Sequence, residues 1–184
     1  MTNTVEYKGY SIKISQEDDA ENPLREFDML GTFSCFHRRY DLSSKEAITD
    51  IDELKSYIKS GKAVFLPLYL YDHSGITIST SPFSCPWDSG QVGFIHVDKA
   101  KVREEYSCKR ISKKILQRVY EVLKGEVATF DDYITGNVYS YTIENNEGEV
   151  IDSCGGYFGN PEESSLLADA RSAIDYIISS VKAA

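Results

Sequence analysis

Residues 63–80 read Ala63-Val64-Phe65-Leu66-Pro67-Leu68-Tyr69-Leu70-Tyr71-Asp72-His73-Ser74-Gly75-Ile76-Thr77-Ile78-Ser79-Thr80. The first nine form a near-continuous apolar run, too short for a typical helix and interrupted by Pro67. That pattern fits a buried strand with a bulge or an edge position at the proline. Asp72-His73-Ser74-Gly75 has the composition of a tight turn, and Ile76 to Thr80 then alternates as a returning strand. A hairpin at this point makes an antiparallel sheet the centre of the fold.

Working outward, residues 91–97 resume as a strand after a loop, Ser81-Pro82-Phe83-Ser84-Cys85-Pro86-Trp87-Asp88-Ser89-Gly90, which holds the chain's one tryptophan. Upstream, Ser43 or Ser44 caps a predicted helix through Ile48, Ile51, Leu54 and Ile58 to Gly61. Residues 27–40 read as a strand region, with Phe33, Cys35 and His37 on one face and Thr32, Ser34, Phe36 and Arg38 on the other. Residues 5–14 alternate as a first strand, and the acidic stretch 16–22 is a solvated loop.

Downstream, Asp98 and Asp132 are candidate openings of short helices, and residues 111–124 form an amphipathic helix closed by Gly125. Residues 137–144 and 149–154 pair as the last hairpin, turned by Asn145-Asn146-Glu147-Gly148. Asn160-Pro161-Glu162-Glu163 starts a final helix. Hairpins without a βαβ rhythm predict an α+β fold: a mostly antiparallel sheet of about seven strands with about four helices. The 184 residues are read as a single domain spanning residues 1–184.

Hydrophobic residues make up 41% and the formal charge is -9, which argues against disorder and against a simple nucleic-acid-binding protein. No stretch approaches a membrane span, and residues 1–10 lack a signal-peptide layout, so a cytoplasmic protein that does not meet a membrane is expected. The four cysteines, Cys35, Cys85, Cys108 and Cys154, include no CxxC pair and suit reduced thiols.

The charge is uneven. Between residues 99 and 118, Lys99, Lys101, Arg103, Lys109, Arg110, Lys113, Lys114 and Arg118 face only Glu104 and Glu105, a net of +6 against -15 for the remainder. On a helical wheel Arg110, Lys113, Lys114 and Arg118 fall opposite Ile111, Ile115, Val119 and Val122. This is either a solvated helix face or a phosphate-facing stripe. Acid clusters such as Glu17-Asp18-Asp19-Glu21 serve solubility or imitate nucleic-acid phosphates.

Asp72, His73 and Ser74 name a hydrolase triad, but neighbours in a turn point apart, so a structural turn is the better account. A Cys85 nucleophile with His37, His73 or His96 as base and Asp88 as its orienting group is a second reading. Cys35 and His37 with Cys85 and His73 make a weak zinc set, and no nucleotide-binding glycine motif is present. No cofactor and no metal are expected.

The run from Tyr69 through Tyr71-Asp72-His73-Ser74-Gly75 to Cys85-Pro86-Trp87-Asp88-Ser89-Gly90-Gln91-Val92-Gly93-Phe94-Ile95 resembles a family of small proteins of bacteriophages, plasmids and integrated elements. Asn22-Pro23-Leu24-Arg25-Glu26-Phe27-Asp28, Cys35-Phe36-His37-Arg38-Arg39-Tyr40, Asp132-Tyr133-Ile134-Thr135-Gly136 and Asp152-Ser153-Cys154 add to it. Gly155-Gly156 departs from the Trp-Gly found in relatives.

The resemblance implies an anti-CRISPR lineage acting on type II-A Cas9. The chain is then expected to bind Cas9 with its guide RNA in the bacterial cytoplasm and to hinder target-DNA binding or cleavage, with no catalysis of its own. Contacts to the Cas9 ribonucleoprotein, DNA or guide RNA are expected at Lys109, Arg110, Lys113, Lys114, Arg118, Arg38, Arg39, Trp87 and Asp88. A homo-oligomer stays open. The alternatives are a small Cys/His hydrolase or nucleic-acid-modifying enzyme, and a DNA-binding or DNA-mimicking anti-restriction protein.

Overall fold

The structure, a computed structural model, describes residues 3–183, so the part of the amino-terminal reading that falls on Met1 and Thr2 lies outside the described residues. The fold is α+β, with the hairpins divided between two antiparallel four-stranded sheets. Two compact units carry one sheet each. Unit 2 is the continuous stretch Asn22–Thr135, and unit 1 combines the residues up to Glu21 with those from Gly136 onward.

In unit 1, β1 (Asn3–Tyr7) and β2 (Tyr10–Gln16) are two strands where the sequence suggested one. The reason is local: Lys8 and Gly9 both take positive φ, 49° and 84°, the geometry of a two-residue hairpin turn. β2 pairs with β7 (Val138–Glu144), which pairs with β8 (Val150–Phe158), in the order β1-β2-β7-β8. Period-two alternation puts Ile12, Ile14, Tyr141 and Ile143 on one face, where Leu166, Ala170 and Ile174 of α5 (Leu166–Ala183) cover them. Asn160 is not the cap of that helix. It ties a separate turn, its carbonyl and side chain accepting from the Glu163 and Glu162 amides.

Unit 2 holds the remaining elements: α1 (Pro23–Glu26), β3 (Thr32–Cys35), α2 (Ile51–Lys59), β4 (Ala63–Asp72), β5 (Ile76–Ser79), β6 (Ser89–Asp98), α3 (Lys99–Glu105) and α4 (Lys113–Ile134). Its sheet runs β3-β6-β4-β5. The β4–β5 hairpin forms as read, Tyr69 opposite Ser79 and Asp72 opposite Ile76. Because β5 reaches only to Tyr69, Pro67 sits where β4 has a strand on one side alone, and the register shift falls just after it, at Leu68/Tyr69.

Val64, Leu68, Leu70, Phe33, Ile95 and Val97 make the sheet side of the core, and Val119, Leu123, Val127 and Phe130 of α4 close it. These helix positions recur at four, four and three residues, the stripe a sheet-packed helix needs.

Helix boundaries differ from the sequence reading at the end of α4 and the start of α2. α4 runs through Gly125 to Ile134 because its apolar stripe continues past the glycine, so Asp132 opens no helix. Val122, placed on the apolar face by the wheel, is 38% exposed, and Leu123 takes the core position. α2 is capped by Asp50, whose carboxylate accepts from the Asp52 and Glu53 amides. Ser43 and Ser44 instead accept from the Cys35 and Phe33 amides and bind the following loop to β3. Asp98 does cap α3.

Candidate functional site

Two features of unit 2 stand out, and both draw on residues the sequence singled out. The first is cationic. Lys109 and Arg110 lie in the loop before α4, not on it, while Lys113, Lys114 and Arg118 lie on its first two turns; all five are exposed. Among the described residues none of the five makes an ion pair with a carboxylate. Lys99 and Lys101, counted in the same basic segment, have other work: their ammonium groups donate to the carbonyls of Gly61 and Met29, at 2.6 and 2.9 Å.

Ser112 caps α4, its hydroxyl accepting from the Ile115 amide at 3.2 Å. No acidic residue occupies the first turn, and two lysines do. Cations at the positive pole of a helix cost about 0.3–1 kcal/mol each in ordinary surroundings. First-turn amides also have no acceptor within the helix. The surface that results is suited to an anion.

The second feature is a cleft of about 360 Å³ beside the Ser81–Asp88 loop, bordered by His37, Arg39, Asp72, Trp87, Asp88 and Gln91. Trp87 is 91% exposed. The Asp72 carboxylate accepts from the Arg39 guanidinium and, at 3.4 Å, from the Tyr40 hydroxyl. Arg39 lies 5.4 Å from the Tyr40 ring, which stacks on His37 at 5.0 Å. Arg38 is exposed next to it. The sequence offers Arg38 and Arg39 only as contacts; that Asp72, 33 residues further on, partners Arg39 follows from the pairing of β3, β6 and β4.

Asp88 has two neighbours. Its Oδ2 accepts from the Cys85 thiol at 3.5 Å and faces His73 Nδ1 at 3.3 Å. The order is thus thiol, carboxylate, imidazole, whereas an activated thiol needs the imidazole in the middle. Of the other proposed bases, His37 borders the same cleft but stacks on Tyr40, and His96 is buried against the Ser34 hydroxyl at 3.0 Å, where burial pulls its pKa below the usual histidine value. Asp72, His73 and Ser74 form the turn, with Ser74 at positive φ and the His73 amide donating to the Gly75 carbonyl.

Burial pushes the Cys35 thiol up to about 12, with Asp41 adding to the effect, so it carries its proton at neutral pH. Among the described residues no three His, Cys, Asp or Glu side chains are placed to hold a metal ion. No helix among them is long and apolar enough to cross a membrane.

One group went unnoticed in the sequence. Glu126, on α4, accepts from the Leu30 and Gly31 amides and so fastens the segment entering β3 to the helix. Burial raises its pKa, partly offset by those two amides. A single Glu in an amphipathic helix gives no sign of this, since its acceptor role depends on a loop 95 residues away.

Comparison with protein families, with curated proteins and with solved structures finds no significant match for this chain.

Proposed function

We propose that this protein acts by binding a nucleoprotein and not by turnover, and that its target is the Cas9–guide RNA complex its sequence resemblance implies. The observation that carries the reading is the group of five exposed cations at and just before the start of α4, none ion-paired among the described residues, set in a chain that is otherwise strongly acidic. Phosphates satisfy such a group: each neutralised phosphate releases counterions, and the amino-terminal amides of α4 favour the same sign. A local helix rule is broken there, with Lys113 and Lys114 at the positive pole, and such violations gather at working surfaces.

The acidic remainder has a role in the same reading, because Cas9 holds its nucleic acids in positively charged channels that carboxylates can approach. The position of Asp88 between thiol and imidazole favours binding over a Cys85 hydrolase.

The test is cleavage of target DNA by assembled Cas9–guide RNA, with and without this protein, at two ionic strengths. If all five cations meet duplex phosphates, log affinity falls against log salt with a slope of about -4.5. Lys113→Glu, Lys114→Glu and Arg118→Glu together should weaken inhibition by at least about a hundredfold at low salt, since three contacts become repulsions. Full inhibition by the triple variant would remove α4 from the interface. No association at low salt would end the reading altogether.

A further inference from the structure

Trp87 is 91% exposed, an unusual position for a residue that is highly buried on average. Its loop is nevertheless well tied. Pro82 and Pro86 restrict the backbone, Phe83 packs 5.7 Å from Tyr71, the Ser89 hydroxyl donates to the Cys85 carbonyl, and the Asp72 amide donates to the Asp88 carbonyl at 2.8 Å. An aromatic held out on a fixed support loses little freedom when a partner covers it, as interface anchors do.

What would cover it is set by the polar wall. Asp72 and Asp88 border the same cleft as the indole, with side chains 21% and 38% exposed, so both are partly removed from water yet reachable. An exposed indole beside two carboxylates matches a planar cation that stacks on the ring and donates along its edge. The chain supplies one guanidinium there already, since Arg39 pairs with Asp72 and stands over Tyr40. Among the described residues Asp88 pairs with no arginine: its neighbours are an imidazole and a thiol. Phosphate-bearing ligands meet two carboxylates and are disfavoured.

We propose that this cleft docks an arginine side chain of a partner protein, the guanidinium lying on Trp87 and donating to Asp88. The inference does not rest on the reading of α4, because its ligand is a cation of a protein and not a phosphate.

Trp87 is the sole tryptophan, so emission excited to the red of tyrosine absorption reports this cleft. The probe is a capped Gly-Arg-Gly peptide, with its citrulline counterpart, which keeps the shape and lacks the charge, and with oligothymidine as the nucleic-acid comparison. A saturable emission change with the arginine peptide is expected, at least about tenfold weaker with citrulline, since a charge-assisted pair is lost. Asp88→Asn should weaken arginine binding by at least about tenfold. Arg39→Ala, which removes the like charge and does not touch Asp88, should tighten it by about threefold or more.

No saturation with the arginine peptide overturns the proposal, as does equal binding of citrulline. Stronger binding of oligothymidine that ignores Asp88→Asn assigns the indole to base stacking instead and overturns it too. If Asp88→Asn disturbs the loop, seen as an emission change without ligand, the arginine-to-citrulline ratio and the Arg39→Ala shift decide alone.

Discussion

Gly93 lies where β6 runs between two strands, opposite Cys35 of β3 and Leu68 of β4. A Cβ there would stand 2.0 Å from the Ser34 carbonyl oxygen and 2.9 Å from the Cys35 Cα. Both obstacles are backbone, so no side chain can swing aside. Ordinary contact asks for about 3.5 Å, and β3 would have to retreat by roughly 1.5 Å. That movement breaks the pairing around Cys35 and the bond from the Phe36 amide to the Val92 carbonyl, now 2.7 Å.

Strain from overpacking is about 1–3 kcal/mol and each lost backbone bond about 1 kcal/mol, so Gly93→Ala should destabilise by roughly 3–5 kcal/mol. Gly125→Ala gives the opposite sign. It sits inside α4 with nothing within 4 Å of its Cβ, and alanine should stabilise the helix by about 0.5–1 kcal/mol. Urea denaturation followed by far-ultraviolet circular dichroism separates them, because the indole of Trp87 is already in solvent and reports little of the core. At a slope of about 2 kcal/mol per molar, the midpoint should fall by about 2 M for Gly93→Ala and rise by about 0.3 M for Gly125→Ala. A Gly93→Ala midpoint within about 0.3 M of the parent would refute the close approach of β3 and β6.

Asp131 accepts from the Thr77 hydroxyl and the Ile78 amide at 2.6 and 2.7 Å, so Asp131→Ala should cost about 2–3 kcal/mol in the same assay, with Asp131→Asn recovering part. Burial lowers the pKa of His96, so the folded protein holds it neutral; stability is complete above the ordinary histidine value of about 6.5 and falls as pH drops below it. Unfolding at pH 7.5 and 5 should show that loss, smaller in His96→Gln; an equal loss would exclude the imidazole as its source. Glu126 shifts the other way: burial lets the folded state keep its proton above the ordinary carboxylate range, so stability declines as pH rises through that window and then levels off. Glu126→Gln should flatten the decline between pH 4 and neutrality, measured by the same denaturation series.

The β4–β5 and β7–β8 hairpins were legible because alternation and turn chemistry are local. Ile76 to Thr80 alternates, Asp72 to Gly75 supplies the turn, and the pairing of Tyr69 with Ser79 follows. Helix ends were less legible, since a glycine or serine signals an end only when packing agrees. Gly125 could not stop a helix whose next turns still bury Val127 and Phe130, and Ser43 and Ser44 found better use against β3. Of the cleft, Arg39, Trp87 and Asp88 were named as contacts, while Asp72 was read only as part of the turn.

Sequence alone determined the α+β class, the β4–β5 and β7–β8 hairpins and the separation of a basic segment from an acidic chain, all carried by residue order and by charges within a few positions of one another. Tertiary structure decided that the strands form two sheets, that Lys99 and Lys101 serve carbonyls while Lys113 and Lys114 make no ion pair among the described residues, and that Arg39, Asp72, Trp87 and Asp88 border one cleft. Those outcomes depend on strands far apart in the chain being brought side by side, which no local pattern encodes.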